Sequence, residues 1–196
     1  MLLILFILVI IVAFFGSQES LYKVHFTLPF DTTEYTITSD FGTRNDPMTD
    51  EIKQHNGIDV VPISHNILAI ADGYVISSFY DEDISGEYII LEHNISGTIF
   101  RSSYLHLKKN SRIVEVGDKV LQGQQIGVMG STGKSTGPHL HLGLQKYNAF
   151  KKEFEYTSPT LIITNNQLPR NINLFNYSTN KYDNLFNQNN YEELLN

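Results

Sequence analysis

The chain has 196 residues, 41% hydrophobic and 18% charged, with a formal net charge of −7. That length and balance are those of one globular domain with a sizeable core, and the acidic surplus, with no local Lys/Arg cluster, excludes a dedicated nucleic-acid binder. No cysteine is present, so disulfide staples, thiolate nucleophiles and Cys-ligated zinc are ruled out, and any metal must be held by His, Asp, Glu or water.

Residues 1–15 are uninterruptedly apolar and belong in a bilayer. Spanning the hydrocarbon takes about 20 residues, so the stretch fits the apolar part of a secretion signal. It lacks a leading Lys or Arg and shows no small-x-small pattern around Gly16 and Ser17, which leaves an uncleaved anchor open. Residues 1–16 are therefore expected to be a signal peptide or membrane anchor, and the rest to be exported to the cell envelope or periplasm, membrane-anchored or secreted. Residues 17–35 are mixed and polar, turn at Pro29 and Asp31, and read as a spacer with His25 on its surface.

From Thr36 to Arg44 the residues alternate before loop signals at Asn45, Asp46 and Pro47. Next comes His55-Asn56-Gly57-Ile58-Asp59. On extended backbone His55 and Asp59, four apart, fall on one face. Short β-rich runs follow at 67–70, 74–79, 88–92, 98–107, 119–121 and 125–129, separated by turn signals, with no helical period. The domain, residues 36–147, is thus expected to be mostly β, an antiparallel sheet.

Asp81-Glu82-Asp83-Ile84-Ser85-Gly86 with Glu92 nearly satisfies the calcium-loop pattern of an EF-hand, but that motif needs flanking helices and both flanks here read as strands. An acidic hairpin tip is the better account. Alternation places Tyr104 and His106 on one face and Leu105 and Leu107 on the other, which makes His106 a third-segment candidate for a site. His93, followed at once by a turn, and His65, in a loop, read as structural.

Gly133-Lys134-Ser135 invites a phosphate-binding reading, yet a P-loop requires a glycine at the place held by Val128 and a helix after the loop, where Pro138 and alternating apolar residues indicate a strand. On that strand His139 and His141 share a face and Leu140 and Leu142 pack behind. Two imidazoles from one strand, with His55 and Asp59 in register elsewhere, point to a metal site. Spacing alone does not decide which of the two histidines is the ligand. Residues 148–196 form an Asn-rich C-terminal extension, irregular and poor in contiguous apolar surface, whose recurrent aromatics suit contact with an envelope protein partner.

Taken together, these segments closely resemble the M23 (lysostaphin/LytM-type) family of zinc metallopeptidases. The match runs from about Ile37 to Gln145 through Ser39-Asp40-Phe41-Gly42-Thr43-Arg44, His55-x-x-x-Asp59, Ala71-Asp72-Gly73, Tyr104-Leu105-His106-Leu107, Val116-Gly117-Asp118-Lys119-Val120, Gln122-Gly123-Gln124 and Gly130-Ser131-Thr132-Gly133 before His139-Leu140-His141. The resemblance implies the LytM/duplicated-hybrid-motif fold and one Zn2+ per chain held by His55, Asp59 and His141. His106 and His139 would be the catalytic histidines, and the substrate peptide crosslinks or stem peptides of bacterial peptidoglycan. Three protein ligands leave a tetrahedral zinc one open position, where a polarised water is made acidic enough for a neighbouring imidazole to deprotonate. In the lysostaphin-like subgroup a Tyr is expected shortly before the first ligand; Pro47-Met48-Thr49-Asp50-Glu51 supplies none, which favours a direct crosslink over a glycine bridge. A non-catalytic member of the fold would be expected to have lost ligands. A cupin-type oxygenase would carry its His-x-His before the other ligands, and here the pair comes last.

Overall fold

The computed structural model describes residues 26–46 and 49–165. The expectations for a signal or anchor at 1–16 and for a partner-binding tail beyond 165 fall on residues outside that range. Among the described residues no helix is long and apolar enough to cross a membrane.

The elements, in order, are β1 (Tyr35–Ser39), β2 (Gly42–Asn45), β3 (Ile52–His55), β4 (Gly57–Pro62), β5 (Asn66–Leu68), β6 (Gly73–Asp81), β7 (Gly86–Ile95), β8 (Thr98–Leu107), β9 (Lys119–Val120), β10 (Gln125–Val128), β11 (Leu140–Asn148), β12 (Glu153–Tyr156) and one short helix, α1 (Thr160–Asn165). The fold is mostly β, and its strand pairs are antiparallel, as the alternation predicts. The main sheet has eight strands, seven in the order β1-β4-β11-β8-β7-β6-β9, with β12 paired to β11. Small two-stranded sheets join β5 to β10 and β2 to β3.

Alternation fixes the two faces of the main sheet. Strand β7 buries Ile89, Leu91, His93 and Ile95 and leaves Tyr88, Ile90 and Glu92 half-buried on the other side. Ile58 and Val60 of β4, Leu140, Leu142 and Leu144 of β11, and Phe100 and Tyr104 of β8 extend the apolar face, and Ile67 of β5 and Ile126 of β10 complete the same cluster. A period of two means that each buried residue is followed by one on the opposite face. That opposite face receives Asp59 and His141.

The core reaches beyond residues 36–147 at both ends. Phe26 and Phe30 are buried in it, Phe26 lying edge-on to Phe100 at 5.4 Å between centroids, and Ile162 and Ile163 of α1 enter from the other end. Strand β12 extends the sheet from within the expected C-terminal extension. Isolated plugs of this kind carry no periodic pattern, so polar neighbours mask them in the sequence.

His93, structural as read from its turn, is buried with Nδ1 2.9 Å from the Asp72 carbonyl and Nε2 2.7 Å from Ser102 Oγ; Tyr104 Oη lies 3.1 Å from the same hydroxyl and accepts the Ile70 amide at 2.9 Å. This polar string crosses the core fully partnered, as buried polar groups must be.

Two outcomes test this packing. Phe26→Ala should lower unfolding free energy in urea by about 3 kcal/mol or more, the cost of a core aromatic truncation, whereas a spacer residue would cost almost nothing. Burial depresses the His93 pKa below its usual 6.5, against the opposing pull of the Asp72 carbonyl. Below pH 6.5 the unfolded chain therefore takes up a proton that the native chain refuses, and stability falls as the pH drops toward the native pKa. His93→Gln should flatten that slope, by up to about 1.4 kcal/mol per pH unit.

Candidate metal centre

The site is built on the register of two central strands. His141 of β11 sits directly opposite Asp59 of β4, and side chains opposite one another in an antiparallel pair share a face. Burial of Leu140 and Leu142 on the apolar face holds His141 on the other. His55 arrives differently from the expectation of one continuous extended segment: β3 ends at His55 and β4 begins at Gly57, on separate sheets, with Asn56 as the break. The two side chains still meet, because the β2–β3 hairpin brings His55 over the end of β4.

Three ligand atoms converge. His55 Nε2 lies 3.2 Å from Asp59 Oδ1 and 3.0 Å from His141 Nδ1, and His141 Nδ1 lies 2.9 Å from Asp59 Oδ1. A tetrahedral ion with bonds of about 2.0–2.1 Å spaces its ligands about 3.3 Å apart, so the triangle is slightly tighter than a zinc-loaded one and has the right shape. The outer atoms are already engaged. His55 Nδ1 is 2.7 Å from the Asp40 carbonyl; a carbonyl only accepts, so Nδ1 carries the proton and Nε2 turns a bare lone pair to the centre. Arg44 reaches Asp59 Oδ2 at 3.3 Å, leaving Oδ1 for the ion. Burial pushes the Asp59 carboxyl up, but its contacts with the His141 and His55 side chains outweigh that and hold the group well below the usual carboxylate range. Burial lowers the His141 pKa, with Asp59 pulling the other way. A neutral nitrogen pair beside an ionised carboxylate is the state in which these groups bind a divalent cation, and among the described residues His55, Asp59 and His141 form the group that could hold one.

The other two histidines stand beside this triangle. His106 and His139 have ring centroids 4.9 Å apart, His106 lies 6.1 Å from His141, and His139 Nε2 is 3.6 Å from Asp59 Oδ1. Each Nδ1 faces a carbonyl, Thr132 for His106 at 2.9 Å and Gly137 for His139 at 2.8 Å. Burial lowers the His106 pKa to about 4, with the Thr132 carbonyl opposing and His139 and His141 adding to the drop.

Simple alternation misplaces His106. Tyr104 enters the core, yet His106 lies with the site on the opposite face. The pairing steps from Glu87↔Leu107 to Ile89↔Tyr104, two residues on β7 against three on β8. The extra residue is a bulge, and His106 takes a left-handed φ of 61°, which re-aims its side chain. The remaining sequence-predicted site residues, His55, Asp59, His139 and His141, are brought together with it.

A model of peptidase family M23 matches residues 53–153, just over half of the chain. The chain belongs to that family. Over 107 residues it is 41% identical to the peptidoglycan DD-endopeptidase ShyC of Vibrio cholerae, an alignment covering 54% of this chain and 23% of that protein. The crystal structure of a zinc-containing peptidase from Vibrio cholerae superposes with a TM-score of 0.55 at 32% identity, over 67% of this chain and 39% of the other. The catalytic domain of the antimicrobial peptidase lysostaphin from Staphylococcus simulans gives the same TM-score at 29% identity, over 66% of this chain and 92% of that domain. The chain thus spans nearly all of a family catalytic domain, and about a quarter to a third of the full-length curated relatives it matches.

Sequence reasoning left several residues of this M23 site without a role. Asp40 acts through its carbonyl, Thr132 likewise, and Arg44 through the far oxygen of Asp59; only Arg44 has a side chain whose charge signals a carboxylate partner. Gly57 matters for what it lacks. A Cβ there would lie 2.5 Å from the Leu142 carbonyl oxygen and 2.7 Å from His141 Nε2, so any side chain would displace the His141 ring or part β4 from β11. Gly57→Ala should weaken zinc binding by about 10- to 100-fold, as loss of a ligand's supporting contacts does, measured by chelator competition on the full chain.

Proposed function

We propose that the chain is a zinc-dependent endopeptidase that hydrolyses peptide crosslinks or stem peptides of bacterial peptidoglycan in the cell envelope. The observation that carries this reading is the convergence of His55 Nε2, Asp59 Oδ1 and His141 Nδ1 within 3.2 Å of one another, with two further imidazoles alongside, in a chain of peptidase family M23. Its relative ShyC is a DD-endopeptidase, and together with the absence of a Tyr between Pro47 and Glu51 this favours a direct crosslink as the bond cut. The apolar residues 1–15 support export, with anchoring or cleavage of that segment as the two routes, and the Asn-rich tail beyond residue 165 is the proposed contact for an envelope partner.

His55, Asp59 and His141 would hold one Zn2+, which supplies Lewis acidity toward a water and the scissile carbonyl. The chain's own groups then do the proton work. With Nδ1 of His106 and of His139 tied to carbonyls, each ring turns Nε2 toward the site, where that atom can accept a proton. Once protonated, the same atom donates, either to the oxygen that gains charge or to the departing amine. Arg44 holds the far oxygen of Asp59 in place throughout.

The test is hydrolysis of crosslinked muropeptides by the zinc-loaded full chain, followed by mass spectrometry. Cleavage should vanish with a chelator and return with zinc. Asp59→Ala should abolish it together with metal binding, whereas His106→Ala should retain zinc and lose about 10²- to 10⁴-fold in kcat. A fully metallated wild-type chain that cleaves none of these peptides would rule the reading out.

A further inference from the structure

The hairpin between β6 and β7, whose acidic sequence mimics a calcium loop, spends its carboxylate internally. Asp81 accepts the Asp83 amide on Oδ1 at 3.1 Å and the Ser85 amide on Oδ2 at 3.2 Å. Those amides, Ser85 first, hold its carboxyl below the usual range. The organised tip presents two groups to the site. Ser85 offers its carbonyl to the amide of His106 at 2.9 Å, the backbone bond that accompanies the left-handed φ in the β8 bulge. Gly86, itself at a φ of +65°, lies so close to Thr132 that an added Cβ would overlap Oγ1 and the carbonyl of that residue. Next to it, the Glu87 amide donates to Thr132 Oγ1 at 2.8 Å, and Thr132 Oγ1 donates to the Leu107 carbonyl at 2.6 Å. Thr132 is thereby pinned between β7 and β8 with its own carbonyl 2.9 Å from His106 Nδ1. The Lys134 amide on the Ile84 carbonyl, 2.9 Å, ties the same loop to the tip a second time.

We propose that the Asp81–Gly86 hairpin tip is the positioning element of His106, fixing its backbone through Ser85 and its ring, by way of Thr132, with Nδ1 protonated and Nε2 facing the site. Asp81 is the positioning residue that keeps the tip in shape, through its bonds to the Asp83 and Ser85 amides. The importance of this arrangement for turnover rests on the peptidase reading; the orientation of the His106 ring does not.

The experiment uses the zinc-loaded full chain and the variants Asp81→Ala, Asp81→Asn and Glu82→Ala, the last an exposed neighbour in the same tip. Two readouts are taken: the proton NMR signal of the His106 Nδ1–H, protected from exchange by its bond to Thr132, and steady-state cleavage of crosslinked muropeptides. Asp81→Ala should lose the protected signal and between about 10- and 100-fold in kcat, the range that a misplaced catalytic group costs, with KM within about twofold and zinc content unchanged. Asp81→Asn, which keeps one acceptor oxygen, should recover part of both, and Glu82→Ala should match the wild type. Should Asp81→Ala not fold, the Asn variant decides by the same readouts. A wild-type signal and kcat in the Asp81 variants, or an equal loss in Glu82→Ala, would overturn the proposal. If the wild type cleaves nothing, the peptidase reading fails, and the NMR signal alone still decides whether the tip holds the ring.

Discussion

The structure depends on the register between β4 and β11. With His141 opposite Asp59, the apolar residues on either side fall on the core face and the ligands on the other. A slip of one residue would exchange the two sets, sinking an imidazole among Tyr104, Ile89 and Leu91 and turning Leu140 and Leu142 out to solvent. Hydrophobic burial over many residues thus enforces a geometry that the ligands could not hold by themselves. Their own interactions are few, and the bare His55 Nε2, 3.2 Å from Asp59 Oδ1, meets a carboxylate lone pair that repels it in the absence of a cation.

Around that register the site is fixed mostly by main-chain groups. The Asp40, Thr132 and Gly137 carbonyls each take an imidazole Nδ1, which sets three tautomers at once and turns three Nε2 atoms inward. Main-chain carbonyls are good orienting groups because they neither titrate nor swing, and strands and tight loops place them within tenths of an ångström. The acidic tip at Asp81, the glycine-rich passage through Thr132 and the bulge at His106 form a single buttress, which explains why a left-handed residue is tolerated in the middle of a sheet.

Much of this was legible in the sequence, and for a physical reason. Alternating strands with turn residues between them report directly on burial, so the antiparallel β class and the shared face of His139 and His141 followed from a period of two. Alternation assumes an unbroken pleat, and where the pleat breaks the reading fails: Asn56 divides the segment joining His55 to Asp59, and the extra residue in β8 sends His106 to the opposite face from Tyr104. Phe26, Phe30, Ile162 and Ile163 stayed hidden because they lie in short segments that show no periodic pattern. Asp40 and Thr132 stayed hidden because their contribution is a peptide oxygen, which every residue possesses.

His55 and His141 stand 86 residues apart in the chain, and although Asp59 follows His55 by only four residues, the three side chains meet only once the sheet has formed. An ion that binds the folded chain and ignores the unfolded one adds RT ln(1 + [L]/Kd) to stability. With an ion held by His55, Asp59 and His141, heat resistance of this protein would follow the free concentration of that ion, and a compartment depleted of it would hold a less durable population of molecules as well as an emptier one.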